Sequence, residues 1–207
     1  MPGEAKITRK YERNYRLTVH FCIHKIKAKH MKKTVIVFGL IAGAIVCLLW
    51  LITAICMVKG YFKGSEVVGY TGMLVAFSFV FIGVKNYRDK YNNRVISFGK
   101  AFRTGLYITL VASTMYVLAW LIEYYVFFPD FMEKYCVHTI DQAKASGISQ
   151  QALDKKVTQM ASMKEMYKNP LFVVLFTYLE ILPVGIIISL ISALILKRKG
   201  KSQVAMA

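Results

Sequence analysis

Residues 171–196 read LFVVLFTYLEILPVGIIISLISALIL, twenty-six residues with one charged side chain, Glu180. At about 1.5 Å of rise per residue, a helix of that length extends about 39 Å, enough to cross a hydrocarbon core of about 30 Å. Residues 34–58, 67–84 and 105–128 have the same character, and the four runs are 18 to 26 residues long. A soluble domain distributes its apolar residues in short periodic stripes. Here they are gathered into runs in a chain that is 56% hydrophobic with mean hydropathy +0.44, which is the membrane class. The predicted fold is all-α: an integral-membrane four-helix bundle, with residues 129–170 forming an extramembrane helical hairpin between the third and fourth spans. The predicted organisation is a basic segment 1–33, a membrane domain 34–199 and a tail 200–207. No Pro-, Gly- or Ser-rich linker, internal repeat or low-complexity tract divides it.

The formal charge of +17 would suit a nucleic-acid partner, but its placement argues for a different origin. Residues 1–33 carry net +8, residues 85–103 net +5 and the residues from Lys197 onward net +4. Four spans put these three segments on one side of the membrane. The intervening segments 59–66 and 129–170 are each net +1. By Lys/Arg number the two sides differ 20 to 8, which predicts a multi-pass bacterial inner-membrane protein with both termini cytoplasmic and residues 129–170 periplasmic. The basic excess then serves topology and attraction to the anionic lipid of the bilayer, with no nucleic-acid partner.

The first run follows Met31-Lys32-Lys33 directly. Its length and the absence of an A-x-A-like site predict an uncleaved helix rather than a signal peptide. The first thirty residues lack a clear period and read either as a false start ahead of Met31 or as a basic juxtamembrane arm. His20-x-Cys22-x-His24 has no carboxylate or second cysteine to complete a metal site. Cys47 and Cys56 fall in the first run and Cys136 in the outer segment, so neither a disulfide framework nor a cofactor is expected. Gly39-x-x-x-Gly43 permits close approach of another helix, in this chain or in a second copy. In the second run Gly69, Gly72, Ser78 and Gly83 predict a packing face, and Asn92-Asn93 after it predicts a turn.

Two acids mark the later spans. Glu123 lies five residues inside the end of the third run, among Trp120, Tyr124, Tyr125, Phe127 and Phe128, an aromatic belt suited to the membrane interface. Glu180 lies near the middle of the fourth. A carboxylate at that depth is costly and is expected to face the bundle interior, to be neutralised, or to line water. Ser78, Ser113 and Thr114 are candidate hydroxyl partners. Pro183, with no N–H, frees the carbonyl of Leu179 and predicts a helix break beside the acid. Glu180, Pro183 and Glu123 are thus the candidate intramembrane site.

In the outer segment Phe131, Tyr135, Thr139, Ile140 and Ala143 fall at helical spacing. Gly147 is a stop signal, Ser149 an N-cap, and Leu153, Val157, Met160, Met163 and Tyr167 form the stripe of a second helix. That stripe either packs on the protein or the membrane surface, or binds a protein partner.

Gly69-Tyr70-x-x-Met73-Leu74, the run 77–89 (FSFVFIGVKNYRD) and Ser97-Phe98-Gly99-Lys100-Ala101-Phe102 resemble a Bacteroidetes family catalogued as domain of unknown function 4199. So do Ala119-Trp120-Leu121-Ile122 with Pro129-Asp130-Phe131, and Tyr167-Lys168-Asn169-Pro170 with Glu180-Ile181-Leu182-Pro183-Val184-Gly185. The resemblance extends over residues 31–199 and implies a small four-span bacterial inner-membrane protein; it brings no activity with it. The leading expectation is a non-catalytic accessory or assembly partner. The second is a small ion- or proton-coupled transport subunit using Glu180, which with four spans would need a homo-oligomer. A membrane enzyme ranks third, because the chain has no H-E-x-x-H, paired aspartates, nucleophile elbow or P-loop.

Overall fold

The computed structural model describes residues 4–58 and 66–198. The side chains of His20, Cys22, His24 and Cys56, the segment 59–65 and the tail 200–207 lie outside the described residues. The fold is all-α. In chain order the helices are α1 (Glu4–Val58), α2 (Glu66–Tyr91), α3 (Phe98–Ile122) running into a π-helical turn (Glu123–Phe127), α4 (Phe131–Ala145), α5 (Gln150–Met166) and α6 (Pro170–Leu196). Four stretches are long and apolar enough to cross a membrane: Ala28–Thr53, Gly69–Tyr91, Phe98–Phe127 and Pro170–Leu196. The chain is a multi-pass membrane protein. Helix α1 is continuous from Glu4 into the first span. The second span ends later than its apolar run and the third begins earlier, because Lys85, Arg88 and Lys100 are carried on the helix ends.

Contacts divide the chain into two compact units. The first comprises Met1–Ala42, Phe77–Val111 and Gly185–Ala207; the second comprises Gly43–Ala76 and Ala112–Val184. In both, an apolar core is accompanied by apolar side chains at the surface and by buried hydroxyls. Large apolar residues such as Leu48, Leu118, Leu171 and Ile195 are exposed, while Thr104, Thr109, Ser113, Thr177, Ser189 and Ser192 are buried. Lipid is as apolar as leucine, so helix association gains little from burying leucine. It comes instead from close backbone approach and interhelical hydrogen bonds.

In the first unit, a Cβ added to Gly39 would lie 2.6 Å from Val111 Cβ, and one added to Gly83 would lie 2.7 Å from Ile108 Cδ1. Gly185 and Gly105 make the corresponding approach of α6 to α3. The Thr109 hydroxyl donates to the Gly185 carbonyl at 3.3 Å and lies 3.2 Å from the Ser189 hydroxyl. The α2–α3 connection turns through Asn93 and Arg94, both with positive φ (52° and 58°). It is clasped to the end of α6 by paired backbone bonds, Ile96 N–H to Arg198 C=O and Arg198 N–H to Ile96 C=O. Arg88, ion-paired to Asp89 at 2.7 Å, also reaches the Leu196 carbonyl.

In the second unit, Gly43 gives α1 its approach to Met115 and Ala112, and Gly72 faces Leu49. The expected small-residue face of α2 is incomplete: nothing stands within 4 Å of a Cβ on Gly69, and Ser78 in the first unit is exposed. The hairpin forms where the turn chemistry places it. Gly147 takes φ +67°, the region glycine enters without strain, and the Ser149 side chain accepts from the Ala152 N–H. On α4 the expected Phe131 and Ile140 pack against the cluster, while Met132 and Cys136 rather than Tyr135 supply its buried residues.

Candidate functional site

The second unit gathers most of the ionisable side chains that sequence reasoning left scattered. Glu123 opens the π-helical turn, whose signature is the bond from Phe128 N–H to Glu123 C=O at 2.8 Å. The turn carries Glu123 and Tyr124 inward and leaves Tyr125, Val126 and Phe127 exposed. The expected interfacial belt is therefore split. Trp120 and Tyr124 belong to the core, and Glu123 is 9% exposed rather than extended toward the interface. The reason is tertiary. Phe131 of α4 packs on the Trp120 ring (4.9 Å) and on Tyr124 (6.5 Å), while Tyr167 meets Tyr124 at 5.9 Å.

Trp50 of α1 completes this wall, edge-on to Trp120 at 5.4 Å and to Tyr116 at 6.5 Å. Its indole N–H acts on the Glu123 carboxyl but does not reach it in hydrogen-bond geometry. Glu123 Oε2 and Trp50 Nε1 are each buried without a hydrogen-bond partner among the described residues. A buried polar atom in that state is costly in a medium of low dielectric, and such atoms recur where a group must bind or exchange something. Tyr116, also buried, has Glu180, Glu123, Cys47 and Tyr167 as its electrostatic neighbours.

Glu180 is exposed, against the expectation that it faces the interior. The buried line of α6 runs Val173, Thr177, Ile181, Gly185, Ser189, and Glu180 stands one position off it. The small side chains on that line allow α6 close approach, and this fixes its rotation with Glu180 outside. Pro183 is exposed too, and α6 passes through it without ending, so the expected helix break is absent. Of the hydroxyls expected near Glu180, Thr114 accepts from Tyr178 OH at 2.9 Å, and Ser113 Oγ is buried with no hydrogen-bond partner among the described residues.

The α5 stripe divides along its length. Met160 is buried, Met163 and Tyr167 pack against the same aromatic cluster, Leu153 is half-buried and Val157 exposed. Among the described residues no three His, Cys, Asp or Glu side chains are grouped to hold a metal ion. Trp50, Tyr116 and Cys47 escaped sequence reasoning. The one available signal was a tryptophan in the midst of the first span.

Cys136 and Tyr167 give this region a pH response. Burial pushes the Cys136 thiol up, against a smaller opposing effect of Lys164, and Cys136 Sγ donates to the Met160 carbonyl at 3.5 Å. Burial, with Glu180 as the next cause, pushes the Tyr167 phenol up to about 12. Both groups hold their protons more tightly folded than unfolded. Their contribution is complete below the unfolded values and is lost as pH rises past about 8.5 for the thiol and about 10 for the phenol. Hydrogen exchange in α4 and α5 is expected to show a lower opening free energy at pH 10 than at pH 7, after correction for the intrinsic rate. Cys136 should react with a maleimide at least tenfold more slowly than a cysteine placed at exposed Val137, since the thiolate is the nucleophile.

The family model described as "Protein of unknown function (DUF4199)" matches residues 37–198, and the chain belongs to that family. No curated protein and no solved structure matches it.

Proposed function

We propose that the chain is a non-catalytic accessory subunit of a bacterial inner membrane, associating within the bilayer through the face of α6 that carries Glu180. The distribution of Lys and Arg supports cytoplasmic termini and a periplasmic segment 129–170 within a membrane domain 34–199. The resemblance of the sequence motifs supports a Bacteroidetes setting. The observation that carries the reading is the exposure of Glu180 near the middle of its span, beside exposed Leu179, Pro183 and Ile187. A neighbouring helix that packs on this face would cover Leu179, Pro183 and Ile187 together with the Glu180 side chain. The neighbour is a second copy or another membrane protein. On the hairpin, Leu153 and Val157 are the stripe residues that a protein partner could still reach.

The mass of the particle purified in mild detergent, with its co-purifying proteins, tests this. The wild type is expected to run as a complex. Glu180→Leu should weaken the association about fivefold, the worth of roughly 1 kcal/mol of interhelical hydrogen bonding, while Glu180→Gln should largely preserve it. A monomeric wild type, or a Leu variant with unchanged assembly, refutes the reading.

The buried Glu123 carboxyl oxygen, without a hydrogen-bond partner among the described residues, favours a second reading, a proton-coupled transport subunit. It predicts that proteoliposomes relax an imposed pH gradient faster than empty vesicles and that Glu123→Gln abolishes the difference. No excess flux from the wild type refutes it.

A further inference from the structure

In the first unit, α1 and α3 touch at Gly39 and Val111, where there is no room for even a methyl group on the glycine. Toward the basic end of both helices lies a cleft of about 470 Å³, lined by Lys32, Val35, Ile36, Tyr107, Leu110 and Val111. The glycine contact closes the cleft at its apolar end, and exposed Ile36, Tyr107 and Leu110 leave it open to the side.

We infer that this cleft holds an acyl chain of one anionic phospholipid, with the lipid phosphate between Lys32 and Arg103. The chemistry is divided along the cleft as it is along a lipid. The closed part is lined by aliphatic side chains. Lys32 lines the cleft on α1; exposed Lys29 lies one turn before it, and exposed Arg103 lies one turn (about 6 Å) before the lining residue Tyr107 on α3. Among the described residues none of Lys29, Lys32 and Arg103 is in an ion pair. Arg103 also has Lys100 as a like-charged neighbour, and the Lys100 ammonium lies 5.5 Å from the centre of the Tyr87 ring. Exposed cations thus stand toward the basic ends of two helices that line one apolar slot, which a phosphodiester with its chain complements. An ordinary annular lipid would meet the apolar wall without any preference for head group.

The test is native mass spectrometry of the full chain after exchange into nanodiscs containing equal phosphatidylglycerol and phosphatidylcholine. The wild type is expected to retain one phosphatidylglycerol, preferred by about fivefold for each basic side chain engaged. Lys32→Gln with Arg103→Gln should bring the two lipids to equal retention while far-UV circular dichroism is unchanged. Ile36→Trp, which fills the slot and leaves the cations in place, should abolish retention of both. Should the double variant fail to fold, Lys32→Gln alone should reduce the preference about fivefold. Equal retention by the wild type, or a preference that survives these substitutions, overturns the assignment.

Discussion

Gly185→Leu is expected to abolish accumulation of folded protein, and Gly185→Ala to cost about 1–3 kcal/mol, as overpacking does. A Cβ at this position would stand 2.2 Å from Thr109 Cγ2 and 3.2 Å from Phe77 Cε1. Neither α3 nor α6 can yield cheaply, because the same contact holds the bond from Thr109 to the Gly185 carbonyl and the pairing of Thr109 with Ser189. Thr109→Ser removes the obstructing methyl and keeps the hydroxyl, so it should recover most of what Gly185→Ala loses. The coupling between the two substitutions is itself the measurement. Gly69→Ala serves as the comparison, since a Cβ there meets nothing within 4 Å and should leave stability within about 1 kcal/mol. Unfolding in detergent, followed by circular dichroism, reads all four variants. Equal losses from Gly185→Ala and Gly69→Ala would show that α6 does not pack on α3 through Gly185.

Trp120→Ala should cost about 3–5 kcal/mol, the usual loss for a large aromatic removed from a core. Its ring touches Trp50, Tyr124 and Phe131, and with Met132, Cys136, Met160 and Val173 it forms the core that secures α4 and α5. Released from it, the hairpin should exchange its amide hydrogens faster, and trypsin should cut more readily at Lys134, Lys144 and Lys164. Trp120→Phe, which keeps a ring, should cost about 1.5 kcal/mol or less. The chain has two tryptophans, Trp50 and Trp120, so intrinsic fluorescence reports on this one cluster. Hairpin protection unchanged in Trp120→Ala would mean that the aromatic cluster does not hold α4 and α5.

Legibility in the sequence followed the range of the interactions. The hairpin boundaries at Gly147 and Ser149 could be read because a left-handed glycine and an N-cap are decided within a few residues. On α4, Phe131 and Ile140 pack as the spacing predicts, but that Met132 rather than Tyr135 is buried is decided only once Trp120 and Met160 are brought against one side. The two acids stand out by their cost in lipid, but the side of the helix that each faces is not legible in the sequence. Glu123, near a span end, is buried because the π-helical turn and Phe131 enclose it, and Glu180, near mid-span, is outside because Ile181 takes the buried line. Trp50 was passed over because its partners are some seventy residues distant.

The sequence by itself determined that this is an all-helical membrane chain with four runs long and apolar enough to span a bilayer and a helical hairpin between the last two. Run length, apolar content and the placement of Lys and Arg depend on the thickness and charge of a bilayer and on no contact within the protein. Only the tertiary structure decided which side of each helix is inside. In lipid both sides are apolar, so the amphipathic signal that fixes rotation in a soluble protein is absent. Rotation is set by where small residues such as Gly39, Gly43, Gly83 and Gly185 meet their neighbours, and that match exists only once the helices are packed.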